Sequence, residues 1–481
     1  MLDSRWIDTD PGVPVEQLLQ LDAVMLARIQ FAFTVAFHII FPSFTIGLSA
    51  WIATLLVLWR RTGADHYRDL ARFWTKIFAV SFGMGVVSGI VMSYEFGTNW
   101  SHFSLVVGNV VGPLIGYEVL TAFFLEATFL GILLFGWDRV PPGLHVTAAI
   151  LVAVGTLFSA FWILSANSWM QHPTGHRVVD GIAYPDDWLA IVFSPTFYFR
   201  FAHMVLAAYI TTSFVVIATG ARYLLAGVHR PHAMTMLHMG LGLAAVLVPL
   251  QMIAGDESGR DVLAYQPEKL AAIEGKWDAG TDGPVPLVLF ALPDEEQERN
   301  LYEVSVPYLG SLIVTRSWDG GFAGLQAFAP DDRPPVLLPF FGFRIMVGIG
   351  VIMLILVVWG GIVWARGRVE QARLYLRLAS WSWPLGFVAV LCGWVVAEVG
   401  RQPWVATGIL RTKDAASPIS AQDVATSLVL FVIVYAIVFS AGLIYMNRLI
   451  RKGPAAETPP EGVANRPLMA AGSAAGPTGE G

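Results

Sequence analysis

The chain has 481 residues, of which 55% are hydrophobic and only 14% charged, and its mean hydropathy is +0.60. This composition excludes an ordinary soluble protein, because about a quarter of the residues in soluble domains are charged. The net charge is −6, and the single cysteine, Cys392, excludes an internal disulfide, a CxxCH haem attachment and a cysteine-ligated cluster.

Apolar blocks of about 20 or more residues, long enough to cross a hydrocarbon core roughly 30 Å thick, recur along the chain. They predict an all-α, polytopic membrane protein with about nine transmembrane helices. The first block is too long to cross straight, so we expect it to tilt, to kink at Pro42 or to begin as an interfacial helix. The predicted spans lie near residues 24–59, 74–97, 114–136, 145–166, 196–221, 233–254, 341–365, 380–400 and 424–447.

The predicted spans divide the chain into five segments. Residues 1–22 form an acidic N-terminal extension, 23–254 contain the first six transmembrane helices, and 341–452 contain the last three. The loop at 255–340 is long for a simple connection, and its tryptophans, tyrosines and short apolar patches argue for a function. The tail at 453–481 is rich in Ala, Gly and Pro and is expected to be disordered.

Basic residues predict the orientation, because cytoplasmic loops carry an excess of Lys and Arg. The loop after the second span contains neither residue type. The odd-numbered spans therefore end in the cytoplasm, which places the N-terminus and the long loop outside and the C-terminus inside. The basic residues are Arg60, Arg61, Arg68, Arg72 and Lys76 after the first span, Arg139 after the third, Arg222 and Arg230 after the fifth, Arg366, Arg368, Arg373 and Arg377 after the seventh, and Arg448, Arg451 and Lys452 after the ninth.

Five ionisable side chains lie deep inside apolar runs: His38, Glu118, Glu126, His203 and Glu398. An acid at the centre of a membrane helix costs about 2.5–3.5 kcal/mol on insertion scales. A membrane protein carries such residues where it needs a proton path, an ion site or a metal ligand. Two histidines with three glutamates point to bound metal together with proton transfer.

His203 and Met346 are candidates for the two axial ligands of a low-spin haem, which transfers electrons because its iron has no open position. Arg200 and Arg344 would offset the charge of the haem propionates. The alternative is a core histidine and a packing methionine. His38, ringed by aromatic and branched aliphatic residues, fits a haem ligated on one face, or else a hydrogen bond to a neighbouring helix.

Glu118 and Glu126 lie eight residues apart on the third span. Eight residues turn a helix about 80° beyond two full turns and rise about 12 Å. Both acids can therefore line one channel at different depths, as a proton relay requires. A structural ion pair is the weaker alternative, because the third span contains no cation.

Trp394, Glu398 and Arg401 share one face at the end of the eighth span, each about one turn from the next. One interpretation is an internal Glu–Arg ion pair. The other is a carboxylate ligand or proton donor beside a haem, with Trp394 bridging two cofactors edge to edge.

Taken together, the residues resemble subunit I of the cytochrome bd-type quinol oxidases from the first span to the ninth. The order and placement of the motifs over nearly the whole chain make this resemblance specific. The motifs are Phe96-Gly97-Thr98-Asn99-Trp100, Phe135-Gly136-Trp137-Asp138-Arg139, Trp169-Met170-Gln171, Gly255-Asp256-Glu257-Ser258-Gly259, Phe343–Met346 and Gly400–Trp404.

The resemblance implies a role for each candidate residue. His203 and Met346 would hold the low-spin haem b. His38 would be an axial ligand in a high-spin pair of haems, and Glu118 and Glu398 would be ligands or immediate neighbours of that pair. The remaining implied roles are the proton path for Glu126, a position between the low-spin and high-spin haems for Trp394, and charge stabilisation for Arg401.

The outward loop resembles the quinol-binding loop of the same family, and Lys269 and Glu274 match residues implicated in quinol oxidation. An acid suits that step because a quinol loses protons with its electrons. The loop lacks a long insertion, so the chain resembles the short-loop class, which includes cyanide-insensitive oxidases. The expected cofactors are a low-spin haem b, a high-spin haem b and a haem d, with haem b as the alternative for the third.

The resemblance implies an electrogenic quinol:oxygen oxidoreductase of the bacterial inner membrane, paired with a second membrane subunit. A small single-span subunit is a further partner consistent with this resemblance. Quinol and O₂ would be its substrates, and no nucleic-acid partner is expected. Two other functions fit the charged residues alone. A proton-coupled transporter would use Glu118, Glu126 and the Glu398–Arg401 pair, and a haem-bearing anchor would only relay electrons.

Overall fold

The computed structural model describes residues 22–454. The first part of this chain forms α1 (Ala23–Thr62), α2 (Asp65–Thr98), α3 (Ser101–Tyr117), α4 (Phe124–Phe135), α5 (Pro142–Gln171), the short α6 (Trp188–Val192) and α7 (Phe197–Ala226). The second part forms α8 (Arg230–Tyr265), α9 (Pro267–Glu274), α10 (Leu309–Thr315), α11 (Leu337–Ala365), α12 (Arg373–Ser380), α13 (Leu385–Val399) and α14 (Ala421–Lys452).

Within the described residues, eight helical segments are long and apolar enough to cross a membrane, and a ninth span consists of α12 and α13, which meet at an angle of 44°. A six-residue π-helix, Glu118–Phe123, joins α3 to α4, so these three pieces form one span. The prediction of an all-α protein with about nine transmembrane helices is confirmed.

Several helices are longer than the predicted spans. The helix containing the second span begins at Asp65, before the predicted 74, and the helix containing the third begins at Ser101, before the predicted 114. α8 continues to Tyr265, so the first residues of the predicted loop, 255–265, are helical. Hydropathy marks where a helix leaves the apolar layer, whereas the helix itself continues wherever polar residues still form its hydrogen bonds.

α1 is unbroken through Pro42. Its start is fixed by Asp22, whose side chain accepts a hydrogen bond from the Met25 amide at 2.7 Å, and it ends at Gly63, which has a φ of 69°. A residue with positive φ at this position is the usual glycine-type helix end. The predicted extension before residue 22 and most of the predicted tail after 453 lie outside the described residues.

α1 is the central helix of the bundle, and it packs against α2, α5, α7, α13 and α14. Gly47 allows α7 to approach closely, because a Cβ there would lie 2.4 Å from Oγ1 of Thr212. The Thr212 hydroxyl then donates to the Phe44 carbonyl at 2.8 Å. Most residues of α1 between Phe41 and Leu56 are buried.

The long loop folds into a cap at one end of the bundle. It contains α9, α10 and an antiparallel pair of strands, and its apolar side chains pack beneath it around Ala271, Val288 and Phe340. The described strands form three two-stranded antiparallel hairpins: β1 (His176–Val179) with β2 (Ile182–Pro185), β3 (Leu287–Asp294) with β4 (Arg299–Val306), and β5 (Trp404–Ala406) with β6 (Leu410–Arg411).

Candidate functional site

His203 lies on α7 and Met346 on α11, and both helices pack against α8 and α13. Each of the two side chains faces a glycine on one of those shared neighbours. A Cβ on Gly255 of α8 would lie 3.2 Å from Cε1 of His203, and a Cβ on Gly393 of α13 would lie 3.0 Å from Sδ of Met346. These bare backbone positions leave room beside the imidazole and the thioether. Nδ1 of His203 has no hydrogen-bond partner among the described residues, while its Nε2 lies 3.2 Å from Nε2 of Gln251.

Glu398 is the centre of a buried polar network. Its Oε1 accepts hydrogen bonds from Nδ2 of Asn167 at 2.9 Å and from Nε2 of Gln171 at 3.2 Å. The other carboxylate oxygen forms an ion pair with Arg401. We call this set the Glu398 network; its members are Asn167, Gln171, Arg200, Lys269, Glu398 and Arg401.

Lys269 connects the cap to this network. It lies on α9, is 1% exposed, and donates from Nζ to Oε1 of Gln171 at 2.7 Å and to Oε1 of Gln266 at 3.0 Å. Burial lowers the pKa of Lys269 well below its usual value, and the nearby positive charge of Arg200 lowers it further. The amino group of Lys269 faces inward, and Gln171 joins it to Glu398.

Glu274, at the end of α9, is also buried, and its Oε2 has no hydrogen-bond partner among the described residues. Burial raises the pKa of Glu274, while the charge of Arg344 acts in the opposite direction. The two residues predicted to act on quinol therefore both point into the protein from one short helix. A carboxyl group with a raised pKa is suited to accept and release protons near neutral pH.

The Glu398 network contains Arg200, Lys269 and Arg401 beside the Glu398 carboxylate, and the Asp261 carboxylate is near enough to act on Arg200 and Lys269. Buried nitrogens of both arginines have no hydrogen-bond partner among the described residues: Nε of Arg200, and Nε and Nη1 of Arg401. Buried donors without acceptors are costly, so the site is built to receive an anion. The two propionates of a haem supply such negative charge.

Arg344 does not belong to this network. Its guanidinium donates to the main-chain carbonyls of Val288 at 2.5 Å and Ile273 at 2.8 Å, and it stacks 3.4 Å from the centre of the Phe340 ring. In this arrangement it ties the cap to α11. Trp394, by contrast, lies on α13 one turn before Glu398, as its spacing predicts.

His38 on α1 is held by Ser88 on α2, with 3.0 Å between Nδ1 and Oγ. The Ser88 hydroxyl donates to the Met84 carbonyl at 3.0 Å, so its oxygen accepts the proton of His38 Nδ1. Nε2 is then unprotonated, which is the form of imidazole that ligates iron. Gly89 faces the ring, since a Cβ there would lie 3.1 Å from Cε1.

Glu118 and Glu126 both face α5. Ser159 donates to Oε1 of Glu118 at 2.7 Å, and a Cβ on Gly155, one turn earlier on α5, would lie 2.7 Å from Cγ of Glu126. Glu126 is 6% exposed and its Oε1 has no partner among the described residues. The π-helix between the two acids is a type of distortion often found at functional sites.

No three His, Cys, Asp or Glu side chains within residues 22–454 converge to hold a metal ion. His38, and His203 with Met346, are donor sets of the kind that bind iron already held in a haem.

The chain matches the family model for subunit I of the cytochrome bd terminal oxidases over residues 26–454. It is 34% identical to cytochrome bd-II ubiquinol oxidase subunit 1 of Escherichia coli, covering 90% of this chain and 98% of the relative. It is also 34% identical to cytochrome bd ubiquinol oxidase subunit 1 of Bacillus subtilis, covering 90% of this chain and 94% of the relative. The solved bd oxidase of Geobacillus thermodenitrificans matches with a TM-score of 0.83 and 32% identity, over 90% of this chain and 99% of that one.

The chain belongs to the cytochrome bd oxidase subunit I family. It is therefore an oxidoreductase, a haem-containing subunit of a respiratory terminal oxidase, and a multi-pass protein of the bacterial inner membrane. Cytochrome bd oxidases are multi-subunit membrane complexes, so this subunit works beside a partner.

Sequence reasoning missed one buried acid of this oxidase subunit. Glu95 on α2 is completely buried, and its Oε1 accepts a hydrogen bond from the Thr34 hydroxyl at 2.5 Å. It lies next to the polar residues that end the predicted second span, so the sequence suggests an ordinary membrane-surface acid. The available signal was on α1, where Gln30, Thr34 and His38 repeat at every fourth position within an apolar helix.

Proposed function

We propose that this subunit oxidises a quinol at the outer membrane face and reduces O₂ to water at a di-haem site. The protons for water formation come from the cytoplasm, so the reaction generates a proton motive force without pumping. The names of the relatives support a quinol donor: those in E. coli and B. subtilis are named as ubiquinol oxidases, and the name of a further B. subtilis relative specifies menaquinol. The observation that carries the proposal is the link from Lys269 in the cap through Gln171 to Glu398.

The direction of proton movement depends on the orientation. Basic residues follow the odd-numbered spans, which puts the cap outside, the N-terminus outside and the C-terminus in the cytoplasm. Protons released by quinol at the cap then stay outside. Glu274 is the acid that would take the first of them, because burial holds its pKa above the usual range.

His203 and Met346 would be the axial ligands of the low-spin haem b, and His38 would ligate one of the high-spin haems. When bound, these haems would carry single electrons, and the high-spin pair would supply the iron at which oxygen reacts. Glu118 or Glu398 would serve as a further ligand or neighbour at the high-spin pair. Trp394 would lie between the two cofactor regions, one turn before Glu398.

The positive residues of the Glu398 network would neutralise propionates. Arg200 and Arg401 offer buried N–H groups that lack acceptors, and this matches the need of an anionic group placed in a low dielectric. Arg344 would keep the cap seated against α11, through its bonds to main-chain carbonyls.

Glu126 and Glu118 would carry protons towards the oxygen-reducing end. The third span runs from the outer face to the cytoplasm in the proposed orientation, so Glu126 lies nearer the cytoplasm than Glu118. Their shared contact face on α5 supports a single path.

The enzyme would contain a high-spin haem b and either haem d or a further haem b, as expected of the short-loop, cyanide-insensitive class. A second membrane subunit would complete the heterodimer, and a small single-span subunit would fit beside it.

Reduced-minus-oxidised spectra of the solubilised complex, recorded with and without carbon monoxide, test this function. We expect a low-spin haem signal, a carbon monoxide-sensitive high-spin signal and quinol-dependent oxygen consumption. A colourless protein would indicate a transporter, and a low-spin signal without a carbon monoxide response would indicate an electron-relaying anchor. The same spectra distinguish haem d from haem b.

The His203→Ala variant tests the ligand assignment. We expect it to lose the low-spin signal while the carbon monoxide-sensitive signal remains, because only one iron loses a ligand. The matched control is His232→Ala, on a histidine that faces Asp69 near the opposite end of α8 from the cap. An intact low-spin signal in His203→Ala would remove the assignment.

A further inference from the structure

The seam between α1 and α2 contains three polar pairs in succession. Asn99 Nδ2 donates to Oε1 of Gln30 at 3.1 Å, and the Thr34 hydroxyl donates to Glu95. The third pair is His38 with Ser88. On α1 these residues are four positions apart, about 6 Å of rise per step. We call this series the polar ladder; its members are Gln30, Thr34, His38, Ser88, Glu95 and Asn99.

The polar ladder stops at His38. The next contact along the seam is apolar, with Phe41 facing Gly85, whose Cβ would lie 3.2 Å from the Phe41 side chain. The opposite end of the ladder reaches the start of α1 and the end of α2, the membrane face away from Arg60 and Arg61. The ladder therefore connects that face with the proposed haem ligand and goes no further.

Aromatic rings pack between α1 and α14 beside the ladder. Tyr435 and Phe439 of α14 pack on Phe33, Phe37 and Phe41 of α1, with ring centres 4.8–5.6 Å apart within this cluster. Glu95 itself is completely buried, which places its carboxyl group in a low-dielectric environment. Its buried Oε2 has no hydrogen-bond partner among the described residues, and no described Lys or Arg forms an ion pair with it.

The titratable groups around Glu95 are few. From α14 the Tyr435 phenol acts on it. The titratable groups of α1 on either side of Thr34 are Arg28 and His38. From α3 there is His102, whose ring bonds the Asp414 carbonyl instead. Glu118 and Glu126, on the span formed by α3 and α4, face α5. A carboxyl group in such surroundings is sensitive to any new charge placed one or two helical turns away.

We propose that Glu95 is a protonation site coupled to the haem at His38. This rests on the proposed function. When that haem gains one electron, delivered from quinol, the Glu95 carboxylate binds one proton that enters along the Gln30–Asn99 end of the ladder. When the electron leaves for oxygen, the proton leaves Glu95 by the same route. The positive charge of the proton compensates the negative charge of the electron, so the net charge of the buried site stays the same.

The test is a spectroelectrochemical titration of the complete oxidase at several pH values, monitored at the carbon monoxide-sensitive haem bands. In the wild-type complex the midpoint potential of this haem falls as pH rises. In Glu95→Gln the neutral amide keeps the shape and the Thr34 contact, and we expect that pH dependence to be lost. Glu95→Asp is the matched control: it retains a carboxyl group, and we expect it to retain the pH dependence of the midpoint potential.

Two results would overturn the proposal: a wild-type potential that does not vary with pH, or the same pH dependence in Glu95→Gln. These outcomes differ from a failure of the proposed function, in which the wild-type complex would lack the carbon monoxide-sensitive haem altogether. Should Glu95→Gln fail to assemble, the infrared redox difference spectrum of the wild type decides. It must show a carboxylic acid band gained on reduction, and Thr34→Val must shift that band.

Discussion

At the scale of single residues, the hydrogen bond between Ser88 and His38 decides which imidazole nitrogen can meet iron. Removing such a supporting partner typically lowers metal affinity or activity about 10–100-fold. We therefore expect Ser88→Ala to weaken binding of the high-spin haem at His38 while the low-spin haem stays in place. Haem content and the carbon monoxide difference spectrum of the purified complex measure this.

Ser93→Ala is the matched control, because Ser93 lies on the same helix but is exposed and bonds only the Gly89 carbonyl. Equal haem content in Ser88→Ala and Ser93→Ala would mean that His38 needs no support from Ser88. The bond itself could not be predicted from sequence, since Ser88 is one of many serines in apolar helices and only the register of α1 against α2 selects it.

At the scale of helices, glycine positions reveal which faces must stay bare. α8 contains Gly255 opposite His203 and Gly242, around which nothing lies within 4 Å. A valine at 255 pushes against the imidazole, whereas a valine at 242 projects into open space. We expect Gly255→Val to lose the low-spin haem signal and Gly242→Val to keep it, as read in reduced-minus-oxidised spectra. Similar spectra from both variants would show that α8 has room to move away from α7.

The helices also show how far sequence reasoning reaches. Long apolar blocks predict the spans because the thickness of the bilayer fixes their length. The ends of α2 and α8 escaped prediction because polar residues extend these helices beyond the apolar layer, and the π-helix at Glu118–Phe123 leaves no compositional trace. The burial of Lys269 against Gln171 is likewise a product of tertiary packing, since the residues are 98 positions apart.

At the scale of the whole molecule, the cap and the bundle meet at Lys269. Replacing it by methionine keeps the volume and removes the donor to Gln171 and the positive charge beside the Glu398 network. We expect Lys269→Met to reduce quinol-dependent oxygen consumption about tenfold or more, since charge-assisted hydrogen bonds contribute about 1.5–3 kcal/mol. The low-spin haem signal should persist. Unchanged turnover, in parallel with a Lys276→Met control on the same cap, would show that this link is not used.

In the proposed function, quinol releases protons at the outer end of the bundle, and oxygen reduction takes protons from the cytoplasmic end. This difference decides the direction in which charge crosses the membrane. Glu126 lies on the path proposed to open towards the cytoplasm, and a relay acid contributes typically about 10²–10⁴-fold to rate. Glu126→Gln should therefore slow oxygen reduction by at least about 10²-fold and abolish the membrane potential formed in oriented proteoliposomes, while the haem spectrum is retained. Glu370→Gln is the control, because Glu370 forms only a surface ion pair with Arg230. A normal potential in Glu126→Gln would mean that the protons of water formation reach the haems from the cytoplasm by another route. The polar ladder would not be that route, because it opens towards the outer face, and protons taken up there would generate no potential.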